Sequence, residues 1–458
     1  MSRFNYIEPL VMLATIMQWL VLATITGILA GAGCAAFLLA LEYFTSQTAS
    51  ISLGLQMALL PAGGLLTGLI MHYGYKLNRT GLDDAVISAV HKQSGRMPFL
   101  TLPVKPIAAL VTLAAGGSAG REGPCSHVGA TMASGLGKVL RLNEELRKRL
   151  VACGVSAGFA SVFGTPVAGA IYGVEVMVIG RLRHDFLFPA VIAGMTAFET
   201  CQWLGVNYRY YPLSMPDYSH LLFFKVMVLG VMCGAVAWLF VEMVRFSTHL
   251  FFRMQQRFRI WPPLMPLIGG SLLALLILVI PTDYLGLGLP LMAAALEGEA
   301  MPILGFVWKI LLVAITLGSG FYGGIATPQL VVGAISGAAF APLLDISPAL
   351  GGAIGLVSVV AGASNTPLAG ILMGVEFFGG GAGIGYFAGA GIAAYLISGH
   401  RSVYPDQLMA YPKSFWMRGQ PDLPLEQERI GLSYGLLRGL ARYQARHGRH
   451  RRPHPPRE

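Results

Sequence analysis

Six long apolar stretches punctuate the chain, at residues 10–41, 53–71, 221–241, 266–280, 303–317 and 384–397. Several reach the roughly 20 residues that a bilayer-spanning helix needs. Between them lie shorter apolar segments broken by Gly and Pro. The pattern predicts an all-α, polytopic membrane protein with tilted and interrupted helices. Composition agrees: 55% of the 458 residues are hydrophobic and 12% are charged, against about 25% charged in ordinary soluble domains. The first stretch is too long for a signal-peptide core and lacks a small-residue cleavage site. It is read as the first membrane helix.

Charge refines this picture at one end. The net charge is +10, and residues 431–458 carry seven arginines against a single acid, Glu458. A basic segment beside membrane helices favours a cytoplasmic C-terminus and contact with anionic lipid. It lacks the aromatic interleaving of a nucleic-acid binder, so no nucleic-acid partner is expected. The five cysteines (34, 125, 153, 201, 233) lie scattered in apolar segments. Their spacing predicts no disulfide, metal site or cofactor.

The chain repeats itself. Residues 165–175 read TPVAGAIYGVE and residues 366–376 read TPLAGILMGVE, with seven identical positions 201 residues apart. Upstream, GREGP at 120–124 is echoed by GIATP at 324–328, and Val128-Gly129-Ala130 by Val332-Gly333-Ala334, at an offset of 204. Two echoes in one order indicate a duplication. Gly/Pro-interrupted membrane halves of this kind mark transport proteins with inverted-topology repeats, whose substrate site lies near the midplane between broken helices. The division is therefore repeat one at 1–205, a linker at 206–220, repeat two at 221–412 and a basic tail at 413–458.

Pro124 and Pro328 predict helix starts, because proline is favoured at the first helical position, and Thr327 is placed to cap the second. A helix start presents free N–H groups and partial positive charge. Two such starts meeting in the membrane would hold an anion, with glycines allowing close backbone approach. Glu122 would sit at the mouth of that site, able to fill it as a carboxylate or to leave it when protonated. An ionisable residue within a membrane segment is a functional candidate by default. The alternative is that Glu122 pairs with Arg121 or caps its own helix.

These segments resemble the CLC family of chloride channels and chloride/proton antiporters, in the prokaryotic form without nucleotide-binding domains. GREGP resembles its gating-glutamate motif, GGIATP at 323–328 its second anion loop, and GHRSVYPDQ at 399–407 the segment with its pore tyrosine. The resemblance implies Glu122 as the gate. It implies anion contacts from Gly120, Arg121, Gly123, Ile325, Ala326 and the Tyr404 hydroxyl. It also implies a homodimer in a bacterial inner membrane with one pore per subunit, passing chloride and related anions with or without protons.

Three departures from the family pattern matter. RTGLDDAV at 79–86 stands where a GSGIP-like loop is expected, so Thr80 takes the serine's place; the alternative is an ordinary turn with Asp83 or Asp84 paired to Lys105. Ala326 replaces a bulky aromatic, which should loosen a constriction. Val176 occupies the position of the antiporters' internal proton-transfer glutamate. Glu175 is its neighbour but points about 100° away on a helix, and its twin Glu376 argues for a structural role. Glu122, Glu175 and His127 are the candidate proton path, with His127 otherwise a packing residue.

The leading expectation is anion transport, chiefly of chloride, by a channel or a proton-coupled antiporter. A fluoride/proton antiporter is the alternative: the fluoride-selective branch resembles this chain in GGSAGREG and in a threonine like Thr327, but not at Thr80 or Pro124. An enzyme is not expected, since HExxH is absent and Glu122 has no second carboxylate nearby.

Overall fold

The computed structural model describes residues 7–48, 51–76, 85–379, 381–427 and 431–432. Sixteen α-helices are found among them, and they fall into two sets of eight in matching order. The first set is α1 (Glu8–Thr48), α2 (Leu53–Tyr75), α3 (Val86–Lys92), α4 (Val104–Ala114), α5 (Glu122–Val139), α6 (Glu144–Phe163), α7 (Pro166–Glu175) and α8 (His184–Trp203). The second is α9 (His220–Phe258), α10 (Leu264–Leu276), α11 (Leu289–Glu297), α12 (Gly305–Gly318), α13 (Ala326–Phe340), α14 (Pro348–Ser364), α15 (Pro367–Phe378) and α16 (Ile384–Ile397). Helix α8 ends at Trp203 and α9 begins at His220, the last residue of the expected 206–220 linker.

Four helical spans among the described residues are long and apolar enough to cross a membrane: Glu8–Thr48, Leu53–Tyr75, His220–Phe258 and Ala326–Leu344. The 41 residues of α1 extend about 60 Å, twice a ~30 Å hydrocarbon core, so α1 tilts or projects beyond it. Many other helices are too short to span alone. Their ends therefore lie inside the protein, where backbone polar groups need protein partners.

Local chemistry sets those ends. Asn143 caps α6 by accepting from the Leu146 amide (2.9 Å). Gly164 ends α6 in the left-handed region (φ 69°), and its twin Asn365 ends α14 likewise (φ 58°). Each is followed by Thr-Pro, with Pro166 or Pro367 opening the next helix. The prolines of the upstream motifs behave differently. Helices α5 and α13 start at Glu122 and Ala326, two residues before Pro124 and Pro328. The first N–H groups of any helix lack intrahelical partners, so a proline fits there as well. Thr327 is not the cap of α13; that position is Ile325.

Close approach holds the halves together internally. A methyl on Gly129 of α5 would strike the backbone of Gly154 on α6, and one on Gly333 of α13 would strike Gly355 on α14. Small residues permit this packing, which drives helix association where no hydrophobic effect operates between apolar faces in lipid. All five cysteines are buried and unbridged.

Past α16 the chain does not simply leave the bundle. Leu408–Met409 pairs parallel to Val178–Ile179 and antiparallel to Leu423–Pro424. This tethers the segment after Tyr404 to the end of α7.

Candidate functional site: two helix starts and the Glu122 carboxylate

The breaks before α5 and α13 meet directly. The Gly120 amide donates to the Gly324 carbonyl and the Gly324 amide to the Gly120 carbonyl, both at 2.7 Å. This reciprocal pair binds the two motifs into one unit at their pseudo-symmetry axis. It also corrects one expectation: the Gly120 amide is spent on Gly324 and is not offered to an anion.

Glu122 lies across this junction. One carboxylate oxygen accepts from the Ala326 amide, and the other from the Thr327 hydroxyl at 2.6 Å. A Cβ on Gly120 or on Gly324 would overlap that carboxylate, so both glycines are needed for it to lie where it does. Glu122 is 1% exposed. A negative oxygen at the start of another helix has the setting expected of a bound anion. It is not paired with Arg121, whose Nη2 donates to the Val162 carbonyl (3.2 Å).

Cavities lie on both sides. One, of about 400 Å³, is lined by Arg121, Glu42, Arg209 and Thr327 among others. The other, of about 200 Å³, is lined by Gly123, Ser126, His127, Lys105, Val176 and Tyr404. Glu122 lines neither, and its chain neighbours Arg121 and Gly123 line one each. We refer to these as the outer and inner cavities.

Two lysines 204 residues apart repeat the symmetry. Lys105 lines the inner cavity, with its Nζ 5.6 Å from the Tyr322 ring centre. Lys309 is fully buried and donates to the carbonyls of Tyr284 (2.9 Å) and Gly286 (2.8 Å), just before Leu287 and Leu289 of the outer cavity.

The expected residues thus separate. Glu122, Ile325, Ala326, Gly123, His127, Val176 and Tyr404 come together around the junction and the inner cavity, while Arg121 faces the outer one. Thr80 lies outside the described residues. Glu175 is elsewhere occupied: its carboxylate accepts from the Leu368 (3.1 Å) and Ala369 (2.8 Å) amides at the start of α15. Glu376 does the same to α7, accepting from Val167 (3.1 Å) and Ala168 (2.8 Å). Each glutamate caps the other repeat's helix. His127 is fully buried.

Tyr404 is positioned by residues that motif reasoning missed. Gln407 donates to the carbonyls of Val176 (2.9 Å) and Ser364 (3.1 Å), and accepts from Asn365 (3.1 Å). The Tyr404 hydroxyl meets that of Tyr172 at 3.0 Å. A signal for Tyr172 existed: it stands opposite Met373 in the repeats, a polar position facing an apolar one. The GxSxG spacing occurs at Ser118 and Ser156. However, Ser156 is mid-helix with its hydroxyl on the Ala170 carbonyl (2.8 Å), and Ser118 lies in the loop before α5. Neither stands on a strand-to-helix turn with a base beside it.

The model of a family described as voltage gated chloride channel matches residues 63–399. A chloride/fluoride channel protein of Pseudomonas syringae pv. tomato is 36% identical over 426 residues, covering 90% of this chain and 91% of the relative. The H(+)/Cl(-) exchange transporter ClcA of Vibrio parahaemolyticus is 26% identical over 442 residues, covering 89% and 92%. Among solved structures, a CLC-type fluoride/proton antiporter aligns with a TM-score of 0.79 at 31% identity, covering 86% of this chain and 98% of that one.

Proposed function

The chain belongs to the voltage gated chloride channel family, CLC, and is an anion transport protein of the membrane; from that premise we propose that it exchanges small halides for protons, fluoride ahead of chloride. The observation that carries this reading is the Glu122 carboxylate, held by the Ala326 amide and Thr327 hydroxyl between two cavities. A carboxylate filling an anion's place must leave for the anion to pass. Protonation weakens its hold, because a neutral acid loses the charge-assisted part of those hydrogen bonds. One side chain thereby alternates between blocking the path and carrying a proton.

Fluoride is supported by the relatives named for it and by Thr327, whose hydroxyl can donate to a small, strongly hydrated anion as it does to Glu122. Homodimerisation in a bacterial inner membrane, with one path per subunit and a cytoplasmic C-terminus, belongs to the same reading. A second reading, uncoupled chloride conduction, is favoured by Val176, an apolar side chain lining the inner cavity.

Selectivity is tested by loading liposomes with fluoride or chloride and following efflux with ion electrodes. Fluoride leaving faster from wild type supports the first reading. Chloride efflux without fluoride efflux, and with external pH unchanged, supports the second.

A further inference from the structure

A row of four hydrogen-bonded side chains runs from the inner cavity into the protein, from four separate segments. The Tyr172 hydroxyl donates to Ser364 Oγ (2.8 Å), and Ser364 Oγ donates to Gln329 Oε1 (2.6 Å). At the other end the Tyr404 hydroxyl lies 3.0 Å from that of Tyr172. Tyr172, Ser364 and Gln329 are completely buried.

Each hydroxyl has one hydrogen to give. Tyr172 gives its own to Ser364, so the Tyr404 proton goes to Tyr172. In this arrangement Tyr404 has no donor for the cavity it lines. The far end of the row is unfinished: Gln329 Nε2 is a buried donor without a hydrogen-bond partner, which costs free energy. Turning the amide end over end brings Nε2 to Ser364. Ser364 can then donate to Tyr172, Tyr172 to Tyr404, and the Tyr404 hydrogen is released into the inner cavity. Intermediate arrangements set two donors or two bare oxygens against each other, so the row favours its two uniform polarities.

The row does not follow from the shared fold. In the repeats, Tyr172 stands opposite Met373, Ser364 opposite Phe163 and Gln329 opposite Cys125. Each member has a non-hydrogen-bonding or weakly bonding twin, so one half carries the row and the other does not.

We propose that Tyr172 and Gln329 control, through the polarity of this row, whether Tyr404 can donate a hydrogen bond to an anion in the inner cavity. Tyr404 is the anion contact; Tyr172, Ser364 and Gln329 are positioning residues. The state with Glu122 in the anion's place has the row turned away from the cavity, and an arriving halide turns it back. This rests on the reading of Tyr404 as part of the anion path.

The test is calorimetric titration of fluoride and of chloride into purified wild type, Tyr172→Phe, Tyr404→Phe, the double variant and Gln329→Leu. Tyr172→Phe keeps the ring but removes the acceptor that holds the Tyr404 proton. It should tighten anion binding about tenfold, the size of one hydrogen bond to a charged group. Gln329→Leu frees the row to reverse and should also tighten binding. Tyr404→Phe should weaken binding, and in the double variant the gain should vanish. A gain that persists without the Tyr404 hydroxyl is a packing effect and overturns the proposal. Weaker binding in Tyr404→Phe with no gain in Tyr172→Phe overturns the row but leaves Tyr404 on the path. No change in either variant removes both.

Discussion

At the scale of single residues, the gate depends on what holds one carboxylate. Thr327 contributes the only side-chain hydrogen bond to Glu122 among the described residues; its other partners are backbone amides, which no side-chain substitution removes. A hydrogen bond to a charged group contributes about 1.5–3 kcal/mol. Thr327→Val should therefore loosen Glu122 and raise anion efflux at neutral pH by about tenfold, equivalent to ~1.4 kcal/mol. Liposome efflux measures this directly, and an unchanged or slower rate would remove Thr327 from the gate. The side chain that capping statistics assign to its own helix serves the opposite repeat, because the two helix starts are bound to each other through Gly120 and Gly324.

At the scale of elements, the inverted repeat explains which parts could be read from sequence. The apolar runs located α1, α2, α9, α10, α12 and α16, since a continuous stripe needs only length. The paired motifs located the junction, since both halves spell it. Glu122 was legible because a charge in an apolar run has few bland explanations. What stayed hidden were contacts between elements far apart in the chain. Glu175 and Glu376 sit at helix ends with equal claim to chemistry or structure, and only the crossed capping of α7 and α15 assigns them. Glu175→Gln and Glu376→Gln should each lower stability by about 1–3 kcal/mol and leave the proton-to-anion ratio unchanged. Thermal melting and coupled flux check the two halves of that statement. A ratio altered by Glu175→Gln alone would return it to the proton path.

The segment after α16 carries its own pH response. The Lys413 amide donates to His400 Nε2 at 2.7 Å, which requires that nitrogen to be unprotonated. Burial, helped by the nearby Lys413 charge, pushes the His400 imidazole down to about 4. In the unfolded chain it titrates near 6.5. Its contribution to stability is therefore intact above about pH 6.5, falls as pH drops from 6.5 towards 4, and is fully lost below about 4. Limited proteolysis should cut residues 413–427 faster as pH falls through that window in wild type. In His400→Gln the rate should stay level.

At the scale of the whole molecule, the outer and inner cavities flank the junction of two sets of eight helices, and the carboxylate between them belongs to the seam rather than to either half. Neither repeat alone could build it: Glu122 comes from the first, and Ala326 and Thr327 come from the second. The inner cavity presents the apolar Val176 where antiporters of the family carry a glutamate, and the carboxylate that lines it is Asp406. On the proposed reading, coupling depends on Glu122, the carboxylate that both blocks the anion and bears the proton. The decisive measurement is uphill proton movement. Liposomes containing the protein are loaded with fluoride and diluted into fluoride-free medium at equal pH, with external pH and fluoride followed together. Protons should move into the liposomes as fluoride runs out, against the pH gradient that builds, and none should move in Glu122→Gln. Fluoride or chloride efflux in wild type with no accompanying proton flux would contradict the proposed reading.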